Sequence, residues 1–145
     1  MSAIPGESVL SSSALASGLV TAQALDYAHR VARHRLQQMG QNDGDVSDRL
    51  LAEILIEQEM LTPYQADQLM AGRTKLNLGP YIVTDWIAQG GMGQVYKAVH
   101  QVMGRVCAVK VLPLARATQL ARDSFMREIR MQAKLDCPYL VRAFD

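Results

Sequence analysis

The stretch Ile87-Ala-Gln-Gly-Gly-Met-Gly-Gln-Val-Tyr-Lys-Ala98, followed by Cys107-Ala-Val-Lys110, decides the fold of the second half of the chain. Its glycines, Gly90, Gly91 and Gly93, form a turn in which no Cβ keeps backbone N–H groups away from a ligand. Successive N–H groups in such a turn can bind phosphate oxygens. The stretch therefore predicts a phosphate-binding turn between two strands.

The residues after the turn alternate as they do in a strand. Val95, Lys97 and Val99 alternate with Tyr96 and Ala98, which is the strand period of two. The strands predicted in this half are 81–87, 94–100, 105–112 and 139–144, and a helix is predicted over 120–135.

The third predicted strand contains Lys110, the strongest single candidate for a functional residue. Ala108 and Lys110 lie two apart, so both side chains point to one face of the strand. Lysine is seldom buried without a partner, and Glu128 on the predicted helix is the natural one. A small residue and a cation on one face suit a flat base and its phosphates.

The glycine turn has two alternative interpretations. A dinucleotide-binding fingerprint needs a helix that starts at its third glycine, whereas residues 94–99 alternate as a strand. The second alternative is a glycine-rich hairpin with a purely structural role, and the pattern itself leaves it open. No Gly-Lys-Ser/Thr sequence is present, which excludes the other kind of P-loop.

The second half resembles the amino-terminal lobe of a protein kinase, of the bacterial (planctomycete-like) serine/threonine type. The resemblance runs from Leu78 to Asp145, about half the chain. It is carried by the glycine loop, the lysine strand, the glutamate helix and the strand after it: Ala88–Val95, Cys107–Lys110, Phe125–Ile129 and Pro138 with Leu140–Asp145. Ala88 departs from the family pattern, which has its first glycine there.

The resemblance implies an ATP site and a role for each matching residue. Lys110, held by Glu128, would contact the α- and β-phosphates, while Val95 and Ala108 would pack on adenine. The three glycines would cover the phosphates. The full set implied for ATP is Ile87, Ala88, Gly90, Gly91, Gly93, Val95, Ala108 and Lys110. No metal ligand is predicted in this chain, and Mg²⁺ enters only with a full-length parent.

The functional hypothesis is that this chain is the leading part of a serine/threonine protein kinase. The His-Arg-Asp, Asp-Phe-Gly and Ala-Pro-Glu motifs are absent from the sequence. In the family these motifs supply the catalytic base, the magnesium ligands and the peptide-binding surface. We therefore expect this chain to be inactive by itself. The alternative is a non-catalytic interaction or self-association module built on its helices.

The first half predicts a helical bundle. A flexible tail is expected over 1–13, a bundle over 14–72 and a linker over 73–80, ahead of the partial kinase lobe at 81–145. Thr62-Pro63-Tyr64-Gln65 has the pattern of a capping box with proline at the first helical position. Leu19-Val20-Thr21 resembles Met60-Leu61-Thr62, and from the sequence these are treated as two similar helix corners rather than a repeat. The fold class predicted is α+β, a helical bundle followed by an incomplete lobe of antiparallel sheet and one helix.

Composition limits the classes of partner. The formal net charge of +1 gives no argument for nucleic acid or an anionic membrane. Cys107 and Cys137 lack metal-binding spacing, which favours a reduced, cytoplasmic setting. No run is long enough to span a membrane, so any anchor would lie in a longer parent. Folding of this chain is expected to need no cofactor.

Self-association is expected from the sheet. In the family a further strand lies between the lysine strand and the last strand of this chain, and that strand is absent here. Residues 106–112 are therefore expected to present an unpaired apolar edge, and residues 139–144 to lack a neighbour. This edge or the helical bundle is predicted to form a homodimer.

Overall fold

The computed structural model describes residues 8–41, 46–90, 93–113, 123, 127 and 139–144. The chain forms two compact units, Met1–Leu76 and Asn77–Asp145. The first unit is helical and the second contains a sheet, so the predicted α+β fold class is confirmed. No helix within the described ranges has the length and apolar character needed to cross a bilayer.

Over residues 8–41 and 46–76, the helical unit has four helices: α1 Val9–Ser17, α2 Ala22–Gln38, α3 Asp48–Glu57 and α4 Pro63–Met70. Each begins after a residue whose hydroxyl accepts a hydrogen bond from the backbone N–H three positions on, namely Ser8, Thr21, Ser47 and Thr62. Such caps satisfy N–H groups that have no partner within the helix. The capping box predicted at Thr62 is present, since Gln65 bonds back to the Thr62 N–H.

The flexible tail was predicted to extend too far. Helix α1 starts at Val9, and Leu10, Ser11 and Ser13 are buried. The run of serines at residues 11–13 was assigned to the tail because serine is common in mobile tails. Here two serine side chains face the helical core, where one bonds His29.

The helical unit is a structural repeat. The α1–α2 corner and the α3–α4 corner correspond at an offset of 41 residues, the separation of Thr21 from Thr62. At each corner a residue with positive φ follows the end of the first helix, with φ 76° at Gly18 and 60° at Glu59. Each capping threonine then accepts a hydrogen bond of 3.1 Å, from the N–H of Ala24 or of Gln65.

Burial follows the same offset. Within residues 9–29 and 50–70, seven of the eight buried positions in one copy match buried positions in the other. Helix α1 packs on α4 and α2 packs on α3, so each helix has a main neighbour in the other copy. The two corners are therefore equivalent in conformation and packing, which their short sequence similarity did not establish.

The described part of the sheet unit has five strands in the order of the chain: β1 Asn77–Leu78, β2 Tyr81–Gly90, β3 Gly93–His100, β4 Val106–Pro113 and β5 Tyr139–Phe144. The first three pairings are antiparallel. One face of the sheet is its apolar core, formed by Ala98, Cys107, Val109 and Val111 with Leu78, Tyr81 and Tyr96 packed against them.

The prediction that β4 has an unpaired edge is wrong, because the last strand pairs with it. β5 pairs with β4 in parallel, from Ala108 opposite Tyr139 to Pro113 opposite Phe144. Strand β4 therefore has a neighbour on each side, and β5 is not left without one. Backbone N–H and C=O groups strongly favour pairing, so the chain fills the vacant position with its own next strand.

Candidate nucleotide-binding site

One row of side chains crosses three strands beside the glycine hairpin. Ala88 on β2 lies opposite Val95 on β3, and Val95 lies opposite Lys110 on β4. Residues directly opposite each other in an antiparallel pair share a face, with Cβ atoms about 4.5–5.5 Å apart. The structure thus brings three of the predicted site residues together.

A second row lies next to the first on the same face. Asp85, Lys97 and Ala108 are opposite one another on β2, β3 and β4. Ala108 lies two residues from Lys110, so the small side chain and the cation share a face as predicted from their spacing. This face is the reverse of the apolar core, because residues 107, 109 and 111 point the other way.

Lys110 is buried, with 4% of its surface exposed, whereas Lys97 in the neighbouring row is exposed. Transfer of an ammonium group out of water is costly unless an anion or hydrogen-bond acceptors compensate for it. Of the two lysines on this face, only Lys110 is therefore held in surroundings where a bound phosphate would interact with it strongly.

The glycine turn lies at the end of the first row. Gly90 pairs with Gly93, which places the turn two residues beyond Ala88 and Val95. Gly91 lies outside the described residues. The arrangement can present backbone N–H groups next to a buried cation, which is the chemistry of a phosphate site.

Two of the predicted site residues are not in these rows. Ile87 has no partner on β3, because the strand register shifts between Trp86 and Ala88, and its side chain is 50% exposed. Glu128 lies outside the described residues, so its pairing with Lys110 stays a prediction. Of the predicted helix 120–135, Asp123 and Arg127 are described, and both are helical and exposed.

Sequence reasoning missed one contact of this region. The indole Nε1 of Trp86 donates a hydrogen bond of 2.6 Å to Oε1 of Gln94, across the base of the glycine hairpin. The available signal was the placement of a tryptophan four residues before Gly90 and of a glutamine one residue after Gly93, on either side of the turn. That spacing predicts proximity only if the strand register is known.

No cluster of three or more potential His, Cys, Asp or Glu metal ligands occurs among the described residues. Of the residues described at this site, Lys110 is the buried cation that could bind an anion.

The fold of the sheet unit is consistent with a partial kinase N-lobe, and the comparison with known proteins shows similarity to kinases over this part of the chain. Residues 81–145 match the family profile described as Protein kinase domain. This matched segment contains both rows and the glycine turn.

Similar proteins are serine/threonine kinases from distant organisms. One is serine/threonine-protein kinase ATG1b of Arabidopsis thaliana, 33% identical over 75 residues, which is 52% of this chain and 10% of that kinase. Another is the probable serine/threonine-protein kinase pknA2 of Bifidobacterium longum, 35% identical over 75 residues, 46% of this chain and 9% of that kinase. The chain spans about a tenth of the length of these relatives. No solved structure gives a significant match.

Proposed function

We propose that the sheet unit is the ATP-binding part of a serine/threonine protein kinase. The row Ala88, Val95 and Lys110 supports this proposal, because it contains a buried cation and ends at a glycine-rich turn, a type of turn that can bind phosphate. Val95 and Ala108 would contact the adenine, and Lys110 the α- and β-phosphates. The matched family profile supports ATP with Mg²⁺ as the ligand.

Phosphoryl transfer is proposed for a kinase that contains this segment, and the segment by itself is proposed to be inactive. The sequence lacks the motifs that would supply a catalytic base and hold magnesium. What this chain contributes is positioning and charge neutralisation of the nucleotide, which are the main sources of rate in phosphoryl transfer. The protein substrate of such a kinase would be recognised by parts outside this sequence.

Calorimetric titration with Mg-ATP tests the nucleotide site. We expect the wild-type chain to bind and Lys110→Ala to weaken binding by at least about tenfold, since the ion pair with a phosphate in a desolvated site is lost. Lys97→Ala is the matched control, because it removes an exposed lysine from the neighbouring row of the same face. We expect it to change the affinity by less than about twofold.

Three results would contradict the proposal. They are absence of binding to folded wild-type protein, equal losses in the two variants, and undiminished binding by Lys110→Ala. Emission from Trp86, the single tryptophan, reports whether the sheet unit of each variant is folded.

The second candidate function is a protein-interaction module built on the helical unit. It is favoured by one observation: this unit has a hydrophobic core of its own and contributes no residue to the two rows. We propose that this unit mediates self-association. Light scattering over a range of concentrations tests it, and a monomer at the highest concentration would contradict it.

A further inference from the structure

Strand β2 reaches the glycine turn through two irregularities. Its pairing with β3 shifts by one residue between Val83 and Asp85, and again between Trp86 and Ala88. Thr84 and Ile87 are the extra residues, each inserted between two successive register pairs of β2 with β3. Such β-bulges bend a strand and redirect the side chains that follow.

Each bulge is bridged by a side-chain hydrogen bond to β3. The Thr84 hydroxyl donates to the Lys97 carbonyl at 3.2 Å. At the second bulge the Trp86 indole donates to the Gln94 side chain at 2.6 Å. These bonds connect the two strands where the regular ladder is interrupted.

The second bulge decides which residue enters the site. If β2 kept the register in which Trp86 faces Tyr96, Ile87 would lie opposite Val95, and Ala88 would lie opposite Gln94. A bulky isoleucine would then lie beside Val95, in the row that contains Lys110, in place of the methyl group of Ala88. Gly90 would also lose its pairing with Gly93, which sets the base of the turn.

We propose that Trp86 and Gln94 are positioning residues for the nucleotide site, acting through the bulge at Ile87. Their hydrogen bond holds the shifted register, which keeps Ile87 out of the row and Ala88 within it. Both act from outside the row, since Trp86 lies before the bulge and Gln94 faces the opposite side from Val95. This inference rests on the proposed ATP site and adds to it the hydrogen bond that keeps β2 and β3 in the register of that site.

The test is a double-mutant cycle measured by Mg-ATP titration of the full chain. Trp86→Phe keeps an aromatic ring and removes the N–H, and Gln94→Leu removes the acceptor at similar volume. A hydrogen bond of ordinary net strength converts to between about twofold and tenfold in affinity. We expect each variant to bind more weakly by that factor, and the double variant to bind no more weakly than either one.

A second measurement reads the register without nucleotide. Hydrogen exchange at the amides of residues 88–90 should accelerate in Trp86→Phe and Gln94→Leu, because the shifted pairing is less populated. Gln94→Glu retains an acceptor oxygen and should keep the wild-type protection. A general loss of stability would instead accelerate exchange throughout the sheet, including at Val109.

The outcomes separate this inference from the proposed function. If wild-type protein does not bind Mg-ATP but the variants lose protection at 88–90, the proposed ATP site is wrong. The hydrogen bond between Trp86 and Gln94 would then still hold the strand register, but not for a nucleotide. If wild-type protein binds and both variants bind equally well with unchanged exchange, the positioning role is overturned. Additive losses in the double variant would also overturn it, since two independent effects need no shared bond.

Discussion

Glu59 occupies a backbone conformation that favours glycine, and replacing it should stabilise the helical unit. Among the described residues it is the one non-glycine residue with positive φ, at 60°. It follows the end of α3, where its N–H bonds the Ile56 carbonyl and the Met60 N–H bonds the Leu55 carbonyl, both at 3.0 Å. These backbone bonds are independent of the side chain, so Glu59→Gly retains them.

The magnitude follows from two opposing effects. The left-handed conformation costs an L-residue about 1–2 kcal/mol, and glycine avoids this cost. Glycine also makes the unfolded chain more flexible, which offsets about 0.4–1 kcal/mol. We expect Glu59→Gly to raise the free energy of unfolding of the helical unit by about 0.5–1 kcal/mol.

Gly18, at the equivalent position of the other corner, provides a matched control for which the expected change in stability has the opposite sign. Gly18 has φ 76°, and an added Cβ would meet no atom within 4 Å. The cost of Gly18→Ala is therefore conformational and not steric. We expect it to lower the stability by about 1 kcal/mol.

Thermal unfolding followed by far-ultraviolet circular dichroism measures both variants. For a domain of this size about 1 kcal/mol shifts Tm by roughly 4–8 °C. Emission from Trp86, in the sheet unit, should report an unchanged transition. The reasoning is refuted if Glu59→Gly leaves Tm unchanged or lowers it, or if Gly18→Ala is tolerated without loss.

Three further predictions concern other parts of the fold. Thr62→Ala should destabilise the helical unit by about 1 kcal/mol. The loss should exceed that of Thr21→Ala, because of these two caps only Thr62 belongs to a reciprocal capping box. Chemical denaturation measures both variants, and equal losses of stability would contradict this. Burial lowers the pKa of His29, with Arg33 acting in the same direction. The unfolded chain therefore takes up this proton first, and stability should fall as the pH drops below about 6.5. His29→Gln should reduce that slope in denaturation midpoints, and an unchanged slope would count against His29. Val109→Ala should destabilise the sheet unit by about 1.5–3 kcal/mol, since the valine is 1% exposed; retention of the wild-type Trp86 emission transition would argue against a packed core there.

Local sequence signals predicted most elements correctly because they act over a few residues. The caps at Thr21 and Thr62 and the alternation of residues 94–100 depend on hydrogen bonds and periodicity within one element. The same spacing correctly placed Ala108 and Lys110 on one face. Helix α1 was missed in part because its serines have weak local preference, and their burial comes from the other helices.

Strand register could not be predicted from the sequence, and register decides the site. Ala88 enters the row with Val95, and Ile87 does not, because β2 contains a bulge at Ile87. Trp86, next to this bulge, donates a hydrogen bond to Gln94. The parallel pairing of β5 with β4 likewise depends on which backbone groups remain available once the other strands have paired.

The sequence by itself determined the glycine turn, the lysine strand, the helix corners and the α+β class. These follow from the chemistry and periodicity of residues that are close in the chain. Only the tertiary structure decided which residues stand beside Lys110, how the last strand is paired, and that the two helical corners are equivalent. Each of these depends on contacts between distant segments, whose geometry is fixed only when their backbones pair and their side chains pack.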